Sequence, residues 1–158
     1  MGSLPQRTSA DASSQDLVIT RVFAAPRALV FKLWTDPSHA VRWWGPHHHP
    51  AVRLEMDVRP GGLWRGILVS AETGEELHQN GVFQVVEPPG KLVFTFAWEG
   101  EMGDRVGDTL VTITFEERDG TTLMRFRQAP FRSPGDRDGH EDGWTSSFGR
   151  LDTTLAAA

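Results

Sequence analysis

The stretch WTSSFGRLDTTL, which runs from Trp144 to Leu155, decides how the rest of the chain folds. Its large apolar residues recur at spacings of four, three and four, at Trp144, Phe148, Leu151 and Leu155. This spacing places them on one face of an α-helix. The charged stretch ahead of it, residues 136–142, is predicted to be a solvated loop that leads into this helix.

The chain ahead of this helix has the period-two pattern of β-strands. Six such segments follow one another: AVRLEMDV, GGLWRGILV, EELHQNGVFQVVE, KLVFTFAW, TLVTITFEE and TTLMRFRQA. The third is predicted to contain a bulge near Gly81, and Asp119-Gly120 is a hairpin signal between the last two. Six successive strands predict an antiparallel meander with the helices on one side, where the terminal helix covers the apolar face of the sheet.

One more strand and two short helices are predicted before the meander. The β-branched segment DLVITRVF, residues 16–23, is typical of a strand. In APRALVFKLWT, Pro26 suits the first helical position. In DPSHAVRWW, Asp36 is a suitable N-cap with a proline after it, and Gly45-Pro46 ends this second helix early.

The composition excludes several classes of function. The 158 residues suit one domain, predicted over residues 16–158 after a disordered leader at residues 1–15. The chain has no cysteine, which excludes disulfides and thiolate chemistry. A net charge of −5 and scattered arginines argue against a nucleic-acid partner. With no apolar run of membrane-spanning length and no secretory signal, we predict a soluble cytoplasmic protein that has no membrane partner.

Five segments, in this order, carry a resemblance to a known family: APRALVFKLWTDP, RWWGP, DVRPGGLWR, GVFQVVEPPGKLVFT and GHEDGW. Over about residues 16–157 the chain resembles the AHSA-type domain, the homologues of the activator of the 90-kDa heat-shock-protein ATPase, within the START-like, or SRPBCC, superfamily. The resemblance implies an α+β helix-grip fold, like that of the birch pollen allergen. In this fold a curved antiparallel sheet of six to seven strands wraps around a long C-terminal helix. Two short helices follow the first strand, and a cavity lies between sheet and helix.

The implied cavity leads to the first functional hypothesis, a non-catalytic binder of a small hydrophobic or aromatic molecule. The ligand would lie between the sheet and the helix over Trp144–Leu155, held by burial of apolar surface. Eleven apolar residues are the candidate ligand contacts: Trp43, Trp64, Phe83, Phe94, Phe96, Trp98, Met124, Phe126, Trp144, Phe148 and Leu151. His140, Thr122 or Arg42 would orient the ligand, and no cofactor is expected.

A second hypothesis is an enzyme of the same fold, a cyclase, dehydratase or hydrolase acting on an enclosed apolar substrate. It requires a base that faces the cavity, and His78 and His140 are the candidates.

The segment PHHHP, Pro46–Pro50, raises the separate question of a metal site. Neighbours in an extended loop point to opposite sides. At most His47 and His49 could therefore share an ion, and they would need a third ligand. The preferred interpretation is a stiff, solvated loop without a metal.

A third hypothesis is a chaperone-linked interaction module, which the family resemblance suggests. The eukaryotic co-chaperone of the family has a separate N-terminal domain that engages the chaperone. Only 15 residues precede the first predicted strand here, so chaperone binding is the weaker expectation. A homodimer formed through an exposed sheet edge or loop is also compatible with the sequence.

Overall fold

The computed structural model describes residues 16–100 and 104–158, and the leader predicted at residues 1–15 lies outside them. Within these ranges the chain forms ten elements. In chain order they are β1 (Leu17–Phe23), α1 (Arg27–Thr35), α2 (Pro37–Ala40), β2 (Ala51–Met56), β3 (Leu63–Val69), β4 (Glu76–Glu87), β5 (Lys91–Glu99), β6 (Arg105–Arg118), β7 (Thr121–Ala129) and α3 (Pro134–Ala156). This order of elements confirms the prediction of an α+β fold.

The seven strands form one antiparallel sheet in the order β1-β7-β6-β5-β4-β3-β2. The strands from β2 to β7 are a meander in which each strand pairs with the next along the chain. β1, the first strand, pairs with β7, the last strand of the meander, from Leu17 opposite Gln128 to Phe23 opposite Thr122. The two edges of the sheet are therefore β1 and β2, and the meander predicted from the period-two segments is confirmed.

The terminal helix is longer than predicted. α3 begins at Pro134, so residues 136–142 form its first turns and the prediction of a solvated loop there is wrong. Ser133 caps the helix, since its Oγ accepts a hydrogen bond from the backbone nitrogen of Asp136 at 3.1 Å. Ser133 before Pro134 is a standard signal for a helix start. Gly135, Gly139 and Gly143 lie in the first turns of α3. They interrupt the apolar spacing from which the start of the helix was predicted.

The two short helices follow the prediction closely. Pro26 is the N-cap of α1 rather than its first residue. Asp36 caps α2, and its Oδ1 accepts from the backbone nitrogen of Ser38 at 3.0 Å. The two helices together place three tryptophans, Trp34, Trp43 and Trp44, in the core beneath the sheet.

Gly81 is required by a close approach of strands rather than by a bulge. The register shift between β4 and β5 lies between Phe83 and Val85. A Cβ at Gly81 would lie 1.8 Å from the carbonyl oxygen of Thr95. The indole of Trp64 crosses over this glycine and donates to the same oxygen at 2.9 Å. The bulge therefore lies three residues beyond the predicted position. Residue 81 is glycine because a side chain there would clash with Trp64 and with the backbone of Thr95.

The core lies between the inner face of the sheet and the three helices. Trp144, Phe148 and Leu151 share the buried face of α3, as their spacing predicted. On β7, Met124 and Phe126 are fully buried. Arg125 and Arg127, which alternate with them, are exposed, as the period-two pattern of this segment requires.

Candidate functional site

A glycine face on α3 borders an open cleft. Gly135, Gly139 and Gly143 are four residues apart, and Ser147 continues the row, so all four lie along one side of the helix. They line a cleft of about 530 Å³. A Cβ added at Gly139 or Gly143 would meet no atom within 4 Å. The cleft is open there because these residues have no side chains.

The cleft lies against the first half of α3. The sequence predicted the ligand space beside Trp144–Leu155, but in that half Phe148, Leu151 and Leu155 are buried in the core and fill the space. The opposite wall of the cleft comes from β3, β4 and β5, and a third wall comes from the segment between α2 and β2. The remaining lining residues are Trp44, Gly45, Pro46, His48, His49, Leu68, Leu77, Gln79, Phe96, Trp98, Asp136, His140, Asp142 and Trp144. The volume is within the range of small-molecule sites, about 300–1,000 Å³.

Arg150 holds the wall between α2 and β2 against α3. Its guanidinium donates to three backbone carbonyls, those of Arg42 at 2.9 Å, Trp44 at 3.1 Å and Gly45 at 2.7 Å. Ser146 adds a fourth contact, because its Oγ accepts from the backbone nitrogen of His47 at 3.0 Å. Desolvation lowers the pKa of Arg150. The wall is thus positioned by residues about one hundred positions further along the chain.

Gln79 is a buried polar residue on the apolar wall. It is 4% exposed, and its Oε1 accepts from the indole nitrogen of Trp44 at 3.0 Å. Among the described residues no acceptor lies within hydrogen-bonding distance of its Nε2. Nε2 is accessible to solvent, because the sealed side-chain atoms without a partner do not include it. The donor therefore opens into the cleft that Gln79 lines.

Gln128, on β7, makes the matching contact with Trp144, another tryptophan of the cleft, and both ends of its amide have a partner. Its Oε1 accepts from the indole nitrogen of Trp144 at 2.8 Å. Its Nε2 donates to Oγ1 of Thr109 at 2.8 Å. The two glutamines thus bind a tryptophan in the same way, and they differ in the one donor that Gln79 leaves unused.

His140 lies at one end of the cleft as a neutral ring. Its Nε2 accepts a hydrogen bond from the indole nitrogen of Trp98 at 3.0 Å. An indole nitrogen can only donate, so Nε2 is unprotonated and the ring proton is on Nδ1. Burial lowers the pKa of His140 to about 4, and the nearby carboxylate of Asp136 offsets only part of this effect.

A smaller cavity lies on the far side of this pair. It has about 160 Å³ and is lined in part by Thr109, Phe131 and Arg132. Trp98 and His140 line both this cavity and the main cleft. The pair therefore lies between the two spaces.

The structure brings three of the eleven predicted ligand contacts to the cleft, namely Phe96, Trp98 and Trp144. The other eight are packed in the core and do not line it: Trp43, Trp64, Phe83, Phe94, Met124, Phe126, Phe148 and Leu151. Aromatic side chains fill the inner face of the sheet, and the alternation pattern alone does not distinguish core from cleft. The residues that do so are the glycines of α3, which the sequence reasoning did not use.

The predicted polar candidates separate in the same way. His140 lines the cleft, whereas His78 is on the outer face of β4, where its Nε2 lies 2.9 Å from Oε1 of Glu76. Thr122 does not line the cleft, and its Oγ1 donates to the carbonyl of Ala25 at 2.7 Å. Arg42 contributes a backbone carbonyl to the contact with Arg150 and is likewise absent from the lining.

The histidine loop pairs differently from the prediction. The rings of His48 and His49 meet, with 2.7 Å between their Nδ1 atoms, and both line the cleft, whereas His47 does not. In residues 16–100 and 104–158 no three histidine, cysteine, aspartate or glutamate side chains cluster as metal ligands would. A proline on either side of the three histidines turns the loop, so the simple alternation of an extended strand does not hold.

Sequence reasoning missed Gln79, Arg150 and the glycine face. A signal existed for Gln79, since a polar residue at an inward position of an otherwise apolar strand face indicates a specific partner. The spacing of Gly135, Gly139 and Gly143 was a second signal. Arg150 had none, because its acceptors are backbone carbonyls.

None of the helices in the described part of the chain combines the length and the apolar composition that crossing a bilayer requires.

Among solved structures, the AHSA1 protein of Silicibacter pomeroyi is 27% identical, with 90% of this chain and 98% of that chain covered and a TM-score of 0.80. A protein of Arthrobacter aurescens is 25% identical over 95% of this chain and 91% of that chain, with a TM-score of 0.83. A protein of Mycobacterium smegmatis is 26% identical over 94% of each chain, with a TM-score of 0.77.

No curated protein matches the chain. The family model described as "Activator of Hsp90 ATPase homolog 1-like protein" matches residues 24–156. These residues include the segments on which the sequence resemblance was based, together with most of the sheet and all three helices. The resemblance and the helix-grip fold that it implied are confirmed, and the chain belongs to the family of activator of Hsp90 ATPase homolog 1-like proteins.

Proposed function

We propose that the protein binds a small, mostly apolar molecule in the cleft between the glycine face of α3 and the inner face of the sheet. The observation that carries this proposal is the open space of about 530 Å³ beside Gly135, Gly139 and Gly143. Seven of the fourteen other side chains around it are apolar, four of them aromatic, and the remaining seven are polar. Aromatic walls with convergent polar groups are typical of ligand sites.

The glycine face is costly to the helix, which supports a functional reason for it. Glycine in a helix interior costs about 1 kcal/mol relative to alanine. No neighbouring atom would obstruct a Cβ at Gly139 or Gly143, so packing does not require glycine there. Gly149 is equally unobstructed but stands alone away from the cleft, whereas Gly135, Gly139 and Gly143 form a row along it. Positions that lower stability without a packing reason are expected at functional sites. Alanine at these positions would narrow the cleft.

The state of His140 favours binding over catalysis. A general base needs a free lone pair within reach of its substrate. The lone pair on Nε2 of His140 already accepts from Trp98, and the other ring nitrogen carries the proton. His78, the other candidate base, lies on the outer face of the sheet. The second hypothesis, an enzyme acting on an enclosed substrate, therefore loses both bases that the sequence offered for it.

A neutral fluorescent probe, N-phenyl-1-naphthylamine, tests the proposal on protein purified without a polyhistidine tag. We expect its emission to rise on binding to the unaltered protein. Gly139→Leu should abolish the rise because the leucine side chain would occupy the cleft. Gly149→Leu is the matched control, because Gly149 also lies on α3 with open space around it but does not line the cleft. Native mass spectrometry of the same preparation would detect any organic molecule carried through purification.

Two results would contradict the proposal. One is the absence of any rise in emission with the unaltered protein together with a native mass free of adducts. The other is an equal rise with both leucine variants, which would place the probe elsewhere on the surface. Chaperone binding, homodimerisation and a cytoplasmic location stay predictions of the sequence.

A further inference from the structure

We infer that the cleft selects a neutral, planar aromatic molecule bearing a hydrogen-bond acceptor such as a ketone oxygen, and that Nε2 of Gln79 binds this acceptor. The inference rests on the proposed function and adds the class of ligand. Three features of the cleft support it: the unused donor, the glycine and aromatic walls and the sign of the charges.

The unused donor of Gln79 has a defined orientation. The indole nitrogen of Trp44 can only donate, so the atom 3.0 Å from it must be the carboxamide oxygen of Gln79. The amide group cannot be reversed without losing this bond, and Nε2 therefore stays on the cleft side. Without a ligand this donor faces the open cleft, and a ligand acceptor placed there would give it a partner.

The comparison with Gln128 shows that the arrangement is particular to the cleft. Both glutamines are buried and both accept from a tryptophan, yet Gln128 also donates to Thr109. Gln128, which does not line the cleft, thus has a protein partner at both ends of its amide. Of the two glutamines, only Gln79 has the Nε2 end of its amide facing the cleft without a protein partner.

The shape of the cleft favours a flat molecule. On one side the helix presents backbone without side chains at Gly139 and Gly143. On the other side lie Phe96, which is 1% exposed, and the partly exposed indole of Trp98, and their ring planes are 83° apart. A planar ring system can lie between the glycine backbone and the indole of Trp98, where aromatic contact adds to the burial of apolar area.

The charges around the cleft disfavour an anion. Its lining includes the carboxylates of Asp136 and Asp142 and, within the described residues, no lysine or arginine. The ring of His140 is neutral because its Nε2 accepts from Trp98. The imidazoles of His48 and His49 also line the cleft. A ligand carboxylate would lose its hydration beside the two aspartates and, in the described lining, find no lysine or arginine to pair with, which is unfavourable.

Three naphthalenes of similar shape separate these features: 2-acetylnaphthalene, 2-isopropylnaphthalene and 2-naphthoate. They present a ketone, a hydrocarbon branch and a carboxylate at the same position. Each is titrated into ¹⁵N-labelled protein, and the side-chain amide signals of Gln79 and Gln128 are followed by NMR. Gln79→Met, which removes the donor and keeps the length of the side chain, identifies the Gln79 signals and serves as the binding variant.

We expect 2-acetylnaphthalene to bind about tenfold more tightly than 2-isopropylnaphthalene, the difference that one buried hydrogen bond makes. The Gln79 amide protons should move on binding of the ketone, while those of Gln128 stay in place. In Gln79→Met the two ligands should bind equally. The carboxylate should bind most weakly to both proteins.

Equal binding of the ketone and the hydrocarbon, with no movement of the Gln79 signals, would overturn the inference and leave the proposed function standing. Preferential binding of 2-naphthoate would overturn the requirement for neutrality. Failure of all three naphthalenes to bind would overturn the aromatic ligand class. The proposed function would then depend on the N-phenyl-1-naphthylamine result alone. Because the shift of the Gln79 signals is measured on the unaltered protein, the test does not depend on the folding of the variant.

Discussion

The indole nitrogen of Trp98 donates to Nε2 of His140 at 3.0 Å, and the two rings lie between the main cleft and a second cavity of about 160 Å³. Their ring centroids are 5.7 Å apart. The hydrogen bond holds the histidine in one tautomer and gives the tryptophan a partner in the interior. The stability of the cleft is therefore linked to the protonation state of His140.

This link predicts a loss of stability in mild acid. Burial lowers the pKa of His140 from 6.5 in the unfolded chain to about 4 in the fold. Between these values the unfolded chain binds a proton that the folded protein does not. Stability is thus fully present above pH 6.5 and falls as the pH drops toward 4, by roughly 3 kcal/mol at most. Urea unfolding at a series of pH values measures the decrease.

The control for this prediction is His140→Phe, which should lack the decrease in the same window. Side-chain hydrogen bonds lower the pKa of three carboxylates, Asp36, Glu99 and Glu116. Their contribution to stability is lost only as the pH falls to their ordinary values of 3.8 and 4.5 and below, so the decrease above these values reports on His140. An NMR titration gives the pKa of His140 directly. A value near 6.5 would contradict both the burial of the ring and the predicted pH dependence.

Trp34 and Trp43 are predicted to respond differently to replacement by phenylalanine. Both are buried and their ring centroids lie 4.6 Å apart. The indole of Trp43 donates to the carbonyl of Leu33 at 2.9 Å, whereas that of Trp34 has no partner among the described residues. The helical partner of the Leu33 carbonyl would be the nitrogen of Pro37, which has no hydrogen. Trp43 therefore satisfies a helix-end carbonyl.

Trp43→Phe should consequently destabilise the protein by about 1–2 kcal/mol more than Trp34→Phe, because it leaves the Leu33 carbonyl without a donor. Both changes remove a similar ring volume, so each is the control for the other. Chemical denaturation of the two variants measures the difference. Equal losses of stability would show that the hydrogen bond to Leu33 contributes nothing.

Alanine at Gly139 and at Gly149 should stabilise the protein equally but affect ligand binding differently. Each change removes a glycine from α3 at a site where the new methyl group meets no neighbouring atom. A gain of about 0.5–1 kcal/mol is expected from each. Only Gly139 lines the cleft, so only Gly139→Ala should weaken binding of 2-acetylnaphthalene. Thermal unfolding and an NMR titration check the two parts, and weaker binding with Gly149→Ala would contradict this placement of the ligand.

Arg150→Met should release the wall of the cleft between α2 and β2. The variant loses the guanidinium contacts with the carbonyls of Arg42, Trp44 and Gly45, and we expect a loss of about 2 kcal/mol. Amide hydrogen exchange should accelerate at residues 45–49 more than in the sheet. Arg118→Met is the control, because Arg118 makes an exposed ion pair with Glu116 whose loss should cost less than about 1 kcal/mol. Unchanged exchange at residues 45–49 would show that Arg150 does not hold this wall.

The sequence predicted the strands and helices well where the periodic pattern was strong. On β7, the alternation of Met124 and Phe126 with arginines is sufficient to assign the two faces. The pattern failed at residues 136–142, where Gly139 interrupts the helical period and charged side chains suggest a loop. The cap formed by Ser133 was the local signal that the helix begins earlier.

The candidate site was predicted in its general position and only partly in its residues. Apolar side chains on the sheet and the helix look alike in sequence whether they pack together or border a cleft. His78 and Gln79 illustrate the difficulty, since they are neighbours on β4 and face opposite sides of the sheet. His78 was chosen as a candidate because histidine is a reactive side chain, but it is Gln79 that faces the cleft.

The sequence by itself determined the type and order of the elements, the antiparallel meander and the helix that covers it, because these follow from periodicity and from turn signals between near neighbours. Only the tertiary structure decided where the cleft lies and what its polar groups do. Gln79 meets Trp44 across 35 residues, His140 meets Trp98 across 42, and Arg150 meets the carbonyl of Arg42 across 108. A donor that is left unused, or a histidine that is kept neutral, depends on which distant groups the fold brings within 3 Å, and no local pattern encodes that distance.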